Sequence, residues 1–76
     1  MNKYIQLVKR WLEDPSSVTT EELKANADAA SYTGWTSEAT ATDYAAYSAA
    51  SHATYGNDKV AEYYVKKYEE LLNENL

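Results

Sequence analysis

The chain has 76 residues, with no cysteine, no phenylalanine, one proline, one histidine and two glycines. Without cysteine there is no disulfide framework, no thiolate zinc site and no thiol nucleophile. Two isolated glycines do not make a phosphate-cradling loop. Aliphatic side chains are scarce as well, with Val, Ile and Leu together numbering 11. No long apolar run opens the chain, so neither a signal peptide nor a transmembrane span is expected, and a soluble cytoplasmic setting is the default. Lys and Arg total 7 against 12 Asp and Glu, a net charge of −5. That balance argues against the basic footprint of a nucleic-acid binder.

What the chain does have is tyrosine, 8 times, with two tryptophans, and alanine fills most of the remaining apolar count. Few aliphatics combined with high net charge is a signature of disorder. Here the charge is moderate and the aromatics are plentiful, so folding is expected. Chains this short seldom bury enough apolar area to offset chain entropy without a staple. Disulfides are excluded and no metal site is apparent, which leaves self-association or docking on a partner.

Four helical segments are legible. Over residues 3–13, Tyr4, Ile5, Leu7, Val8, Trp11 and Leu12 share one side at helical period. Asn2 can cap the start, and Asp14-Pro15 stops the helix, because the residue before proline is pushed from the helical region. Thr19 with Glu22 forms a capping box, and Val18 and Leu23 occupy the staple positions. A second helix is therefore predicted over 20–33, with Leu23, Ala27, Ala30 and Gly34 on one side and Ala25, Ala29 and Tyr32 on the other. Small residues on both faces would let neighbouring backbones approach. Gly34 as a C-terminal cap and Thr36 as the next N-cap favour a break or kink here over one long helix.

The third segment, 37–55, divides into two stripes. Ala39, Thr42, Ala46, Ala49, Ala50 and Ala53 make a smooth face. Thr40, Tyr44, Tyr47, Ser48, Ser51 and Tyr55 make a tyrosine–hydroxyl face opposite. Gly56 is a good terminator, and Asn57 or Asp58 can cap the last helix, 58–74. There Val60, Ala61, Tyr64, Val65, Tyr68, Leu71 and Leu72 form one arc, with Glu62 and Lys66 a favourable i,i+4 pair. No stretch alternates as a strand would. The fold expected is all-α, a single domain over 1–76: a small antiparallel bundle of three or four helices, its terminal helices packing on each other and on the alanine face.

The two ends carry a recognisable pattern: Tyr4-Ile5-Gln6-Leu7-Val8-Lys9-Arg10-Trp11-Leu12-Glu13-Asp14-Pro15 leading into Val18-Thr19-Thr20-Glu21-Glu22-Leu23, and Tyr63-Tyr64-Val65-Lys66-Lys67-Tyr68-Glu69-Glu70-Leu71. They resemble a group of short Ala-rich proteins of tailed bacteriophages, and the resemblance spans roughly half the chain. It implies a phage origin and expression in the cytoplasm of an infected bacterium. It supplies no activity. The middle departs from the group's simpler Ala-Tyr pattern, because Thr33, Thr36, Thr40 and Thr42 interrupt it, with Gly34 and Trp35 among them. That departure argues against an unbroken central helix.

Candidate chemistry is sparse. A hydrolase would pair His52 with Ser48 one turn away, but no local acid orients the imidazole and no oxyanion loop is evident. A metal site needs a second ligand at i±3 or i±4, where Ser48, Ala49, Tyr55 and Gly56 stand. Glu21-Glu22 is explained by helix-start chemistry, and Glu69-Glu70 lies on a solvated face. A DNA mimic would array carboxylates densely. Between Ala25 and Tyr55 the only charges are Asp28, Glu38 and Asp43. No catalytic, cofactor or metal residue is assigned, and no cofactor is expected. The tyrosine stripe is the functional candidate, because a Tyr or Trp ring offers rigid contact area with a polar tip. The residues are Tyr32, Trp35, Tyr44, Tyr47 and Tyr55. The same rings could instead fill a core short of Leu and Phe. The reading is a non-enzymatic phage protein that binds a host or defence protein through this surface. The alternative is a structural homo-oligomer using the same faces, and a less favoured reading is an acidic DNA mimic. Neither membrane nor nucleic acid is expected as a partner.

Overall fold

Asn2 starts the first helix. Its Oδ1 accepts from the backbone amides of Tyr4 and Ile5 at 3.0 and 3.1 Å, satisfying two donors that no helical turn precedes. The computed structural model describes residues 2–53 and 59–74. Among them are α1 (Lys3–Glu13), α2 (Thr20–Ala30), α3 (Ser37–Ser51) and α4 (Lys59–Glu74), a single 3-10 turn at Pro15–Ser17, and no strand. The protein is a small all-α bundle.

The first stop is as the sequence predicts. Asp14 is extended ahead of Pro15, and its carboxylate accepts from the Ser16 amide at 3.2 Å and the Ser16 hydroxyl at 2.7 Å. The capping box is present in both directions: the Glu22 amide donates to Thr19 Oγ1, and the Thr19 amide donates to Glu22 Oε1, each at 3.0 Å. Val18, just before the cap, is buried together with Leu23.

The chain then departs from expectation in three places. The second helix ends at Ala30 rather than at 33, so Gly34 lines no face of it. The cap is Ser31 in the right-handed region, and Gly34 follows later with φ +124°. Of the two small-residue sides of α2, only that of Leu23, Ala27 and Ala30 meets a neighbour, while Ala25 and Ala29 face solvent. The third helix stops at Ser51, with His52 as its cap. The expected tail of that helix at 54–55, and Gly56, Asn57 and Asp58 as terminator and caps, lie outside the described residues.

The bundle is organised around α3, and the terminal helices pack on its alanine face as well as on each other, as expected. Ala39, Ala41, Thr42, Ala45, Ala46, Ser48 and Ala49 of α3 are all buried. The burial of Ser48 removes it from the hydroxyl face. α3 packs most extensively on α4, next on α2, and also on α1. Tyr44 meets Tyr64, while Thr40 and Ala41 share a groove with Lys67 and Leu71, so α3 and α4 run antiparallel. The larger core side chains come from elsewhere: Val8 and Trp11 of α1 and Leu23 of α2 are fully buried. Removing a side chain the size of Val8 or Leu23 from water stabilises by about 1.5–3 kcal/mol. Two polar ties hold α1 in place. Asn2 Nδ2 donates to Thr42 Oγ1 at 2.8 Å, and that hydroxyl donates to the Glu38 carbonyl at 2.8 Å. Asn26 Nδ2 donates to the Tyr4 carbonyl at 3.2 Å.

Two outcomes follow from the caps. The hydrogen bonds from Thr19 hold the Glu22 carboxyl below its ordinary value of 4.5, with a smaller contribution from Arg10. A folded-state pKa depressed in this way contributes stability above the unfolded value, and the contribution is lost as pH falls through the folded value. Acidification from about pH 5 to about pH 3 should therefore lower Tm less in Glu22→Gln than in the parent, followed by circular dichroism. Parallel Tm profiles would refute the assignment. Gly34 has open space around a Cβ, so Gly34→Ala tests backbone strain alone. A loss of about 1–3 kcal/mol in urea unfolding is expected, and an unchanged midpoint would refute it.

Candidate functional site

The segment between α2 and α3 is held by hydrogen bonds that span three or four residues. Ser31 Oγ donates to the Asp28 carbonyl at 2.6 Å, and Thr33 donates to the Ala30 carbonyl from its amide at 3.2 Å and from its hydroxyl at 2.9 Å. At the far side the Ala39 amide donates to Thr36 Oγ1 at 3.1 Å, and Thr40 Oγ1 donates to the Thr36 carbonyl at 3.0 Å. Gly34, between these two clamps, takes the positive φ that other residues adopt only under strain. The result is a bend that carries Tyr32 and Trp35 away from the core. Tyr32 is 88% exposed and Trp35 is 101% exposed.

Tyr44 rises from α3 beside this bend. Its ring centroid lies 5.2 Å from that of Tyr64 in a tilted arrangement, and Tyr64 meets Tyr63 edge-on at 5.0 Å. Both separations fall within the favourable range for aromatic pairs. The outer two rings of this row, Tyr44 and Tyr63, are exposed, and Tyr64 is half-buried between them.

Two grooves share Trp35, Thr40 and Tyr44 as a common ridge. The first, of about 490 Å³, runs between α3 and α4 and is completed by Tyr63, Tyr64, Lys67 and Leu71. The second, of about 400 Å³, lies on the other side of the ridge, walled by Tyr32, Gly34 and Asp43. They differ in charge, because Lys67 lines the first and Asp43 lines the second.

Of the five residues singled out from the sequence, Tyr32, Trp35 and Tyr44 come together. Tyr47 does not join them. It sits over α2, in a separate depression with Lys24, Ala27, Asp28, Ala50 and Ser51. Three residues make less than a full helical turn, so Tyr44 leans toward α4 while Tyr47 leans toward α2. Tyr55 lies outside the described residues. Tyr63 and Tyr64 also belong to this surface, outside the five residues of the tyrosine stripe. In the sequence, Tyr64 lies on the apolar arc of the last helix and Tyr63 falls beside that arc. The signal available was the Tyr-Tyr pair followed at helical spacing by Lys67 and Leu71.

The other candidates stay apart from this surface. His52 Nδ1 lies 3.1 Å from the Ser48 carbonyl oxygen, one turn back on α3. Among the described residues, no group of three or more His, Asp or Glu is placed to hold a metal ion, and no helix is long and apolar enough to cross a membrane. Compared with known proteins, the chain matches no family model, no curated protein and no solved structure.

The two tryptophans make the surface measurable, since Trp11 is 1% exposed and Trp35 is bare. Acrylamide should quench one component of the fluorescence readily and the other poorly, and Trp35→Phe should abolish the quenchable component. A single, uniformly protected component would show that Trp35 is covered in solution.

Proposed function

We propose that this is a non-enzymatic, phage-encoded protein that binds a host or defence protein in the cytoplasm of the infected cell. The contact surface is the ridge of Trp35 and Tyr44 with Tyr32 and Tyr63 beside it. One observation carries the reading. A chain with few large apolar side chains for its core holds one of its two indoles wholly outside that core, on a bend clamped at both ends. Buried interface centres are enriched in Trp, Tyr and Arg, and such anchors contribute most of the binding energy. The phage origin and cellular setting rest on the resemblance of the two ends to short Ala-rich phage proteins.

Affinity capture from infected cells, followed by mass spectrometry, identifies the partner. Binding of the purified pair then tests the surface. Trp35→Ala should weaken it by about 2 kcal/mol or more, about thirtyfold, with the helical circular dichroism unchanged. Equal affinity in the parent and Trp35→Ala would overturn the reading. A sedimenting mass that rises with concentration, with no host protein captured, would favour the homo-oligomer instead.

A further inference from the structure

The two grooves flanking the Trp35 ridge are sorted by charge, and the second has the composition of a cation site. Resting on the protein-binding reading above, we propose that the groove walled by Tyr32, Trp35, Asp43 and Tyr44 seats a basic side chain, Arg or Lys, from the protein partner.

Three observations converge. The groove gathers three aromatic residues around about 400 Å³ of open space. An aromatic face attracts a cation placed within about 6 Å of its centroid, and Trp does so best. The groove also holds one carboxylate. Asp43 is half-buried on α3, and among the described residues its side chain makes no hydrogen bond or ion pair. A carboxylate partly withdrawn from water gains from a positive partner in a way that a fully solvated one does not. Finally, the chain itself supplies no such partner nearby in sequence. From Ala25 to Asp58 there is no Lys or Arg, and Lys24 and Lys59 are the first bases on either side. The adjoining groove, by contrast, carries the like charge of Lys67 and no carboxylate. A planar guanidinium suits the site best, because it can stack on an indole while donating to a carboxylate.

The full-length protein, labelled with nitrogen-15, reports the contact directly. The Trp35 indole N–H is the probe, and the buried Trp11 indole N–H is the internal control for the fold. The ligand is the peptide acetyl-Gly-Arg-Gly-amide, and its comparator is the same peptide with citrulline, which keeps the shape of arginine and removes the charge. Saturable movement of the Trp35 signal is expected with the arginine peptide at low salt, with Trp11 unmoved. The citrulline peptide should bind about tenfold more weakly. Asp43→Asn should weaken the arginine peptide about fivefold. In Trp35→Ala, followed instead at the backbone amides of Asp43 and Tyr44, the preference for arginine over citrulline should shrink from about tenfold to about fivefold or less.

Equal response to the two peptides, or no response to either, overturns the proposal. So does movement of the Trp35 signal with protein concentration alone, which would place a second copy in the groove. These failures are separable from failure of the binding reading. If Trp35→Ala releases the captured partner while the peptides are not distinguished, the surface binds protein through apolar contact and the cation site falls alone.

Discussion

The alanine face of α3 is the constraint on which the bundle depends. A helix whose buried apolar positions are Ala39, Ala41, Ala45, Ala46 and Ala49 fills little space of its own. Neighbouring helices must come close, or send large side chains across, for the interior to reach protein packing density. Trp11, Val8 and Leu23 are the largest apolar side chains fully buried, and they come from α1 and α2. One indole therefore has a structural task that a leucine-rich third helix would have made unnecessary. The remaining gap along α3 is polar rather than apolar. Thr42 is as deeply buried as Leu23, and its hydroxyl is satisfied on both sides, receiving from Asn2 and donating to the Glu38 carbonyl. A buried hydroxyl with both roles filled costs little and fixes the position of α1 against α3.

The same economy explains the surface. Ala-lined packing uses one side of α3 and leaves the tyrosines on its other positions free of the core. Tyr44 is then taken up by Tyr64 of α4, and Tyr47 lies over α2. The bend before α3 adds Tyr32 and Trp35 from outside any helix. The aromatic surface is therefore assembled from three separate sources: a bend, the middle of α3 and the first half of α4.

That composite origin explains how much was legible in the sequence. Helix starts were legible because they are written in side chains that bond to nearby amides: Asn2, the Thr19–Glu22 pair and Thr36 all cap as expected. The proline stop after Asp14 was legible for the same local reason. The ends of α2 and α3 were less so. Ala and Ser carry no strong stop signal, and the chain leaves the helix at Ser31 with two residues still to go before Gly34. The fold class followed from periodicity, but the central place of α3 did not, because an alanine stripe does not say which neighbours lie against it. For the candidate surface, a helical wheel placed Tyr44 and Tyr47 on one face. Their divergence onto different neighbours is a tertiary fact, set by where α2 and α4 lie. The pairing of Tyr44 with Tyr64 likewise joins residues twenty positions apart in sequence and needed the antiparallel register of α3 and α4.

Trp35 is as open to water in the folded molecule as in an unfolded chain, and the hydrogen bonds that shape its bend are made by its neighbours. Exchanging its side chain leaves the free energy of folding nearly where it was. Most positions of a small protein are screened first by whether the chain still folds, because its reserve of stability is thin. This one escapes that screen. Position 35 is therefore free to vary in side chain while the bundle beneath is inherited unchanged.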